Sequence, residues 1–481
     1  MRKIKKKRFL CLLSAMVFAL AALVSCGGNT GGETTETHET PGTDAKGQSL
    51  IDSVDKKDYD GATFGFLTIG SSERYCKEIL PDAEDDSDPI YAAVLKRNRA
   101  IESYLGITIT EFPSADPIND AITCVISGDS EWDVFNLYQH GCMNLVTLGY
   151  ARDWNELDID LSKPWWNRKA IQGLAVNGHL PVMSGSILIS EIEAIVGMVY
   201  NQRLYDKFNI DTDIYKEVAD GNWTLDSFIA LANRGKEDLN ADGLYTIGDD
   251  IVGYAADKHS MAMNWPFATG LVQARIKDGK YEVNISKTKT LTLLEKLKEF
   301  FDSGTADQSV ELLDDVVFFK DDKVFICAIT LYNLEYLRAM EADYGVIPYP
   351  KFDEQQKNYV THVGGAAPIM VLPFNTSKKT EFTSDVLSAL CEHSYKTVRP
   401  AYYDVTLQEK GTRDEQSKKV LDTLLDARTY DFAYINAKGY AWIVGEMVAS
   451  GNTNFERIWA GQGSRQLASL QEIVDELIEN Y

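Results

Sequence analysis

Asp238, Asn240 and Asp242 alternate along the chain ahead of Gly243, and Leu244, Thr246 and Asp249 continue the run. This spacing puts oxygen donors at the first, third, fifth, ninth and twelfth positions of a calcium loop. The Leu244 carbonyl serves at the seventh position, and glycine stands at the sixth, where the chain must turn sharply. Asp249 replaces the usual glutamate and reaches less far, and a metal-free Asx-rich turn uses the same residue types. Ile251 to Tyr254 then read as strand, so an ion here is a structural clip between a helix and a strand. The 72 acidic residues make carboxylate pairs across a sugar-sized gap unavoidable, which is what glycoside hydrolysis requires. There is no nucleophile elbow and no His-Glu-x-x-His helix, and the six histidines are scattered at 38, 140, 179, 259, 362 and 393. Those in the folded part read as hydrogen-bonded structural residues. Sugars present hydroxyls at their edges and C–H groups on their faces, so they are bound by flat rings beside carboxylates or amides. The 8 Trp, 24 Tyr and 19 Phe supply such rings, most of them for cores.

The chain begins with Arg2, Lys3, Lys5, Lys6, Lys7 and Arg8 ahead of the apolar stretch Phe9 to Leu23, the pattern of a signal peptide. Leu23-Val24-Ser25-Cys26-Gly27 resembles a bacterial lipobox, which implies a diacylglyceryl group on Cys26 and a membrane anchor on the extracytoplasmic side. Cleavage before Cys26 removes six basic and no acidic residues, moving the formal charge from −24 to −30. So acidic a surface argues against nucleic acid and anionic lipid as partners. Cys76, Cys124, Cys142, Cys327 and Cys391 lack metal-ligand spacing and read mostly as buried thiols. One or two disulfides are compatible with export, but spacing does not assign them.

Residues 27–49 carry no apolar periodicity and read as a flexible tether. The rest is too long for one hydrophobic core and implies two lobes. Thr63 to Ile69 alternates as a strand. Asp88 caps a helix opened by Pro89, with Ile90, Val94, Ile101, Tyr104 and Leu105 on its apolar face and Gly106 as its stop; Ile107 to Thr110 follows as strand. Further strands are expected at Trp132 to Leu137, Ile195 to Tyr200 and Val324 to Ile329, and a mainly helical region from about Phe382. Strands alternating with helices mean an α/β protein.

Several segments, in order, resemble the extracellular solute-binding proteins of carbohydrate ABC transporters. They are Asp88-Pro89-Ile90-Tyr91 with Gly106-Ile107; Gly128 to Val134; Asn177 to Val182 with Val199 to Tyr205; Gly221 to Phe228; Asn264-Trp265-Pro266-Phe267 with Asp278 to Tyr281; and Phe318 to Val324. The resemblance implies a two-lobe, type II periplasmic-binding-protein-like α/β fold, closing on a carbohydrate and read by a membrane permease. It places crossovers near residues 185–192, 304–312 and 364–370. The expected division is a signal peptide at 1–25, lipidated cysteine and tether at 26–49, lobe 1 at 50–187 plus 308–366, and lobe 2 at 188–307 plus 367–481.

By the same resemblance, ligand contacts are expected from Tyr138 and Gln139 after one strand and from Tyr332 and Asn333 after another. Glu191 and Glu193 are expected in the first crossover, Asn264 and Trp265 in the second lobe, and Trp442 as a stacking ring near the end. Trp165, Trp166 and Asp133 read as structural. A glycoside hydrolase and a polymer-binding surface adhesin are the alternatives, and a peptide or polyamine ligand would suit the same fold.

Overall fold

A computed structural model describes residues 43–44, 48–70, 78–81, 88–129, 131–310, 314–408 and 415–481. The signal peptide, Cys26, most of the tether and Cys76 lie outside them. The strands, in chain order, are β1 (Ala62–Ile69), β2 (Ile107–Ser114), β3 (Val134–Tyr138), β4 (Val196–Asn201), β5 (Val252–Asp257), β6 (Ala274–Lys277), β7 (Lys280–Val283), β8 (Ala306–Val310), β9 (Val324–Thr330), β10 (Tyr344–Ile347), β11 (Thr361–His362), β12 (Pro368–Val371) and β13 (Arg428–Thr429).

Local chemistry sets the first unit. Oδ1 of Asp88 accepts from the backbone N–H of Ile90 at 2.7 Å, Pro89 occupies the first turn, and the helix Pro89–Leu105 ends at Gly106 with φ 61°. β1 and β2, on either side of this helix, pair in parallel from Ala62 with Ile107 to Ile69 with Ser114. β1 is buried on both faces, and its residues alternate between two cores. Phe64 and Phe66 pack with Trp154, Trp166 and with Leu387 and Leu390 of the helix Thr380–Lys396. Leu67 and Ile69 pack with Phe135 and with Leu470, Val474 and Leu477 of the terminal helix Ser464–Asn480.

The first sheet has the order β12-β3-β1-β2, with β12 antiparallel to β3. The second has the order β10-β4-β9-β5-β8 and a core built on Trp223, Phe228, Tyr254, Trp265 and Phe300. Thr224 caps its helix Leu225–Arg234 in a capping box with Ser227, and the Trp223 indole N–H donates to the Pro348 carbonyl at 2.8 Å. Each sheet with its helices forms a lobe.

This topology corrects the expected division in two places. Residues 324–330 and 344–347 pair with β4 and β5, so the 308–366 segment belongs to the second lobe, whereas residues 368–371 form the edge of the first sheet. The 304–312 segment is not a crossover, because β8 lies beside β5 inside the second sheet. Short strands buried on both faces fit either sheet equally well, so their pairing is not written in local pattern. Asp133 accepts from the Gly65 N–H at 2.9 Å and from Lys379 at 2.8 Å, and Trp165 and Trp166 are buried, as expected of structural residues. Cys124, Cys142, Cys327 and Cys391 are buried free thiols. No helix among the described residues is long and apolar enough to cross a membrane.

Candidate functional site

The lobes meet where two crossover segments are bonded to each other and to the ends of both sheets. The Gly364 N–H donates to the Ala194 carbonyl, that of Leu331 to Ile195, that of Gln139 to Ala367 and that of His140 to Gly365, at 2.9 to 3.2 Å. A third pass of the chain joins them, because β13 pairs in parallel with β11. At this junction stands a set of rings drawn from five stretches of sequence: His140, Phe267, His362, Tyr434 and Trp442. His140 lies 4.9 Å from Tyr434 and 5.5 Å from Trp442, centroid to centroid; His362 lies 4.8 Å from Tyr434 and stacks on Phe267 at 5.2 Å. Gly365 is required here, since a Cβ at this position would sit within 2.1 to 2.6 Å of the His140 ring. Trp442 keeps part of its surface in solvent, and Nε2 of His140 is buried without a hydrogen-bond partner.

Burial keeps both imidazoles neutral at physiological pH. It lowers the His140 value and, with His140 beside it, holds His362 down to about 3. A neutral ring with an unmet nitrogen can accept one hydrogen bond from a hydroxyl, or donate one to it, without the cost of desolvating a charge.

A second group of side chains adjoins the first crossover. Glu193 faces the carboxylates of Glu78, Glu335 and Asp88, and burial together with these like charges pushes its carboxyl up to about 8. Glu78 accepts from the Ser190 N–H at 2.9 Å, from its hydroxyl at 3.0 Å and from Asn136 Nδ2 at 3.1 Å; burial outweighs these bonds and raises it to about 7. Tyr332, from the second lobe, is half-buried against the first-lobe core group that includes Tyr138. Its hydroxyl is shifted up by burial, then by Tyr336 and the acids Glu335 and Glu193.

Of the residues expected to meet a ligand, the structure thus gathers Tyr138, Glu193, Tyr332 and Trp442 at the junction with part of each side chain in solvent. The other five are buried, although Nδ2 of Asn264 and Nε1 of Trp265 have no hydrogen-bond partner. Trp265 is fully buried in the second-lobe core, with ring centroids 4.9 Å from Tyr349 and 5.6 Å from Phe228. Oδ1 of Asn264 accepts from Thr361 Oγ1 and the His362 N–H at 3.2 and 3.1 Å. Gln139 is buried and donates to the Gly364 carbonyl at 3.3 Å. Asn333 accepts from the Thr330 N–H and hydroxyl, completing a capping box. Glu191 is held by Asn167 Nδ2 at 2.8 Å, Ser184 Oγ at 2.7 Å and Arg428 Nη2 at 3.5 Å, so it braces the crossover. The residues that sequence reasoning missed, His140, Tyr434, His362 and Glu78, carry no motif. For His140 the one available signal was its place directly after Tyr138 and Gln139.

In the 238–249 loop, Asp238 accepts from the Ala241 and Gly243 N–H groups, Asn240 from Asp242 and Asp242 from Leu244, at 2.7 to 2.9 Å. These bonds curl the loop and leave lone pairs on each oxygen. Asp249 is exposed, and among the described residues no three His, Cys, Asp or Glu side chains are gathered as a metal group. The neighbouring Asp250 is buried and closes the loop instead, accepting from the Leu239 and Thr246 N–H groups at 2.9 Å.

No family model matches the sequence, and no curated protein does. Solved structures do. A cyclo/maltodextrin-binding protein complexed with maltotetraose is similar at 13% identity and a TM-score of 0.53, over 87% of this chain and 96% of that one. The galacto-N-biose/lacto-N-biose I-binding protein of an ABC transporter from Bifidobacterium longum, with lacto-N-biose, gives 14% and 0.52 over 88% and 98%. A binding protein from Bacillus subtilis in an open conformation gives 15% and 0.51 over 88% and 99%. Together with the two sheets and their crossovers, these likenesses establish the α/β, two-lobed type II periplasmic-binding fold.

Proposed function

We propose that this chain is the solute-binding component of an ABC importer, which captures a sugar or oligosaccharide at the lobe junction and delivers it unaltered to a membrane permease. The observation that carries this reading is the ring set at the crossovers, with a partly exposed Trp442 beside the unpartnered Nε2 of His140. A pyranose needs a flat apolar face and a neutral hydrogen-bonding group at its edge, and this pair supplies both. The structurally similar proteins crystallised with maltotetraose and lacto-N-biose support the ligand class.

The test is calorimetric titration of the purified protein with maltotetraose, lacto-N-biose and their monosaccharides, followed by chromatography of the recovered sugar. Saturable binding with intact sugar supports a carrier. Cleaved product establishes a hydrolase and ends the proposal, as does preference for long polymers over every short sugar.

Two finer readings belong with it. Cys26 carries a lipid that holds the protein at the outer face of the cell membrane, the reading supported by the basic start and lipobox-like residues. The 238–249 loop takes a calcium ion through Asp238, Asn240, Asp242 and the Leu244 carbonyl, with Thr246 and Asp249 completing the set once Asp249 is drawn in. Its support is the spacing of the oxygen donors around Gly243, in a loop curled by N–H bonds to Asp238, Asn240 and Asp242.

A further inference from the structure

Beside the first crossover lies a cavity of 330 Å³, which shares no lining residue with the ring set and stands at the small end of the range of ligand pockets. Its walls are Ile192 of the crossover, Tyr395, Tyr402 and Tyr403, and Leu421 and Leu425, with Arg399 set among them. Among the described residues the Arg399 guanidinium makes one hydrogen bond, from Nη1 to Ser186 Oγ at the long distance of 3.4 Å, and it rests 5.6 Å from the Tyr395 ring. Five N–H donors are available, so most are unmet.

The local charges do not balance. Arg428 donates to the Leu425 carbonyl at 2.8 Å and reaches Glu191 at 3.5 Å, while its Nε is buried without a partner. Glu191 already accepts from Asn167 and Ser184 on its other oxygen. The nearest carboxylate is thus contacted by Arg428, and Arg399 makes no hydrogen bond to it. Burial, which disfavours the charged form, shifts the Arg399 value down, and the nearby Arg428 adds to this. Asp404 also lines the pocket but is exposed, where water screens it.

We propose that this pocket binds a small organic carboxylate, its carboxyl group on the free edge of Arg399 and its apolar body against Ile192, Leu421, Leu425 and the tyrosine rings. A guanidinium fork matches a carboxylate in two parallel hydrogen bonds, and the apolar walls disfavour a fully hydrated inorganic anion. The strongly acidic chain further disfavours multiply charged ligands. The pocket is independent of the sugar reading, since its occupant touches none of the ring set.

The test is titration of the full-length protein with benzoate and butyrate at constant ionic strength, with inorganic phosphate and chloride as comparison anions. Benzoate should bind at roughly millimolar concentration, and Arg399→Gln should weaken it by about tenfold while leaving sugar affinity unchanged. If the Gln variant melts early, Arg399→Lys keeps the cation but loses the fork and should still weaken benzoate severalfold. Equal binding of phosphate and benzoate, or benzoate binding unaffected by a folded Arg399 variant, overturns the assignment, as does no binding by either carboxylate.

Discussion

Replacing Glu193 by Gln should stabilise the protein at alkaline pH and leave it nearly unchanged in acid. Burial and the facing acids Glu78, Glu335 and Asp88 raise the folded-state value from an ordinary 4.5 to about 8. Between those limits the folded protein holds a proton that the unfolded chain has released, so stability falls as pH rises across the window. Full conversion of that difference gives an upper bound of ~5 kcal/mol at pH above 8. Part of Glu193 stays in contact with water and Glu78 titrates alongside it, which cuts the realistic effect to about 1–2 kcal/mol. The amide keeps the shape and removes the charge. Urea melts of wild type and Glu193→Gln at about pH 4 and 8.5 should therefore nearly coincide at the lower pH and separate at the higher, with the variant more stable. A variant that is less stable at pH 8.5, or a difference that does not change with pH, would refute the claim that Glu193 is a desolvated carboxyl among like charges.

Trp442→Ala should weaken sugar binding about tenfold or more with little change in melting temperature, whereas Trp265→Ala should cost about 3–5 kcal/mol because it empties the second-lobe core; calorimetry and denaturant melts separate the two. Gly365→Ala should destabilise the junction by about 1–3 kcal/mol through overlap with His140, measured by the same melts. Calcium should raise the melting temperature, a chelator should reverse the rise, and Asp238→Asn with Asp242→Asn should abolish it. Cys26→Ser should move the protein from the membrane fraction to the soluble fraction on cell fractionation.

What the sequence made legible was mostly local. Asp88, Pro89 and Gly106 bound the first helix by capping chemistry that involves only neighbours, and β1, β4 and β9 announce themselves by runs of strand formers. Sheet membership of residues 324–371 was not legible, because pairing partners lie far away in sequence and both faces are apolar in either sheet. The candidate site divides the same way. Tyr332 was expected from its place after a strand and Trp442 from the resemblance, while Trp265 and Glu191 have suitable chemistry but the wrong surroundings: residue type does not say whether a ring meets a ligand or a core, or whether a carboxylate is already satisfied. His140 and Tyr434 came together only through three chain crossings, and no spacing rule brings them together in advance.

The terminal helix Ser464–Asn480 and the helix Thr380–Lys396 cover opposite faces of a sheet whose central strands are translated near the start of the chain. During synthesis β1, β2 and β3 therefore emerge long before their covers, while the second sheet, drawn entirely from residues 196–347, can complete itself in the interval. The nascent first lobe must wait with Leu67, Ile69 and Phe135 exposed, a hazard for aggregation. Chaperone demand and sensitivity to C-terminal truncation should accordingly fall on the half of the molecule that is made first.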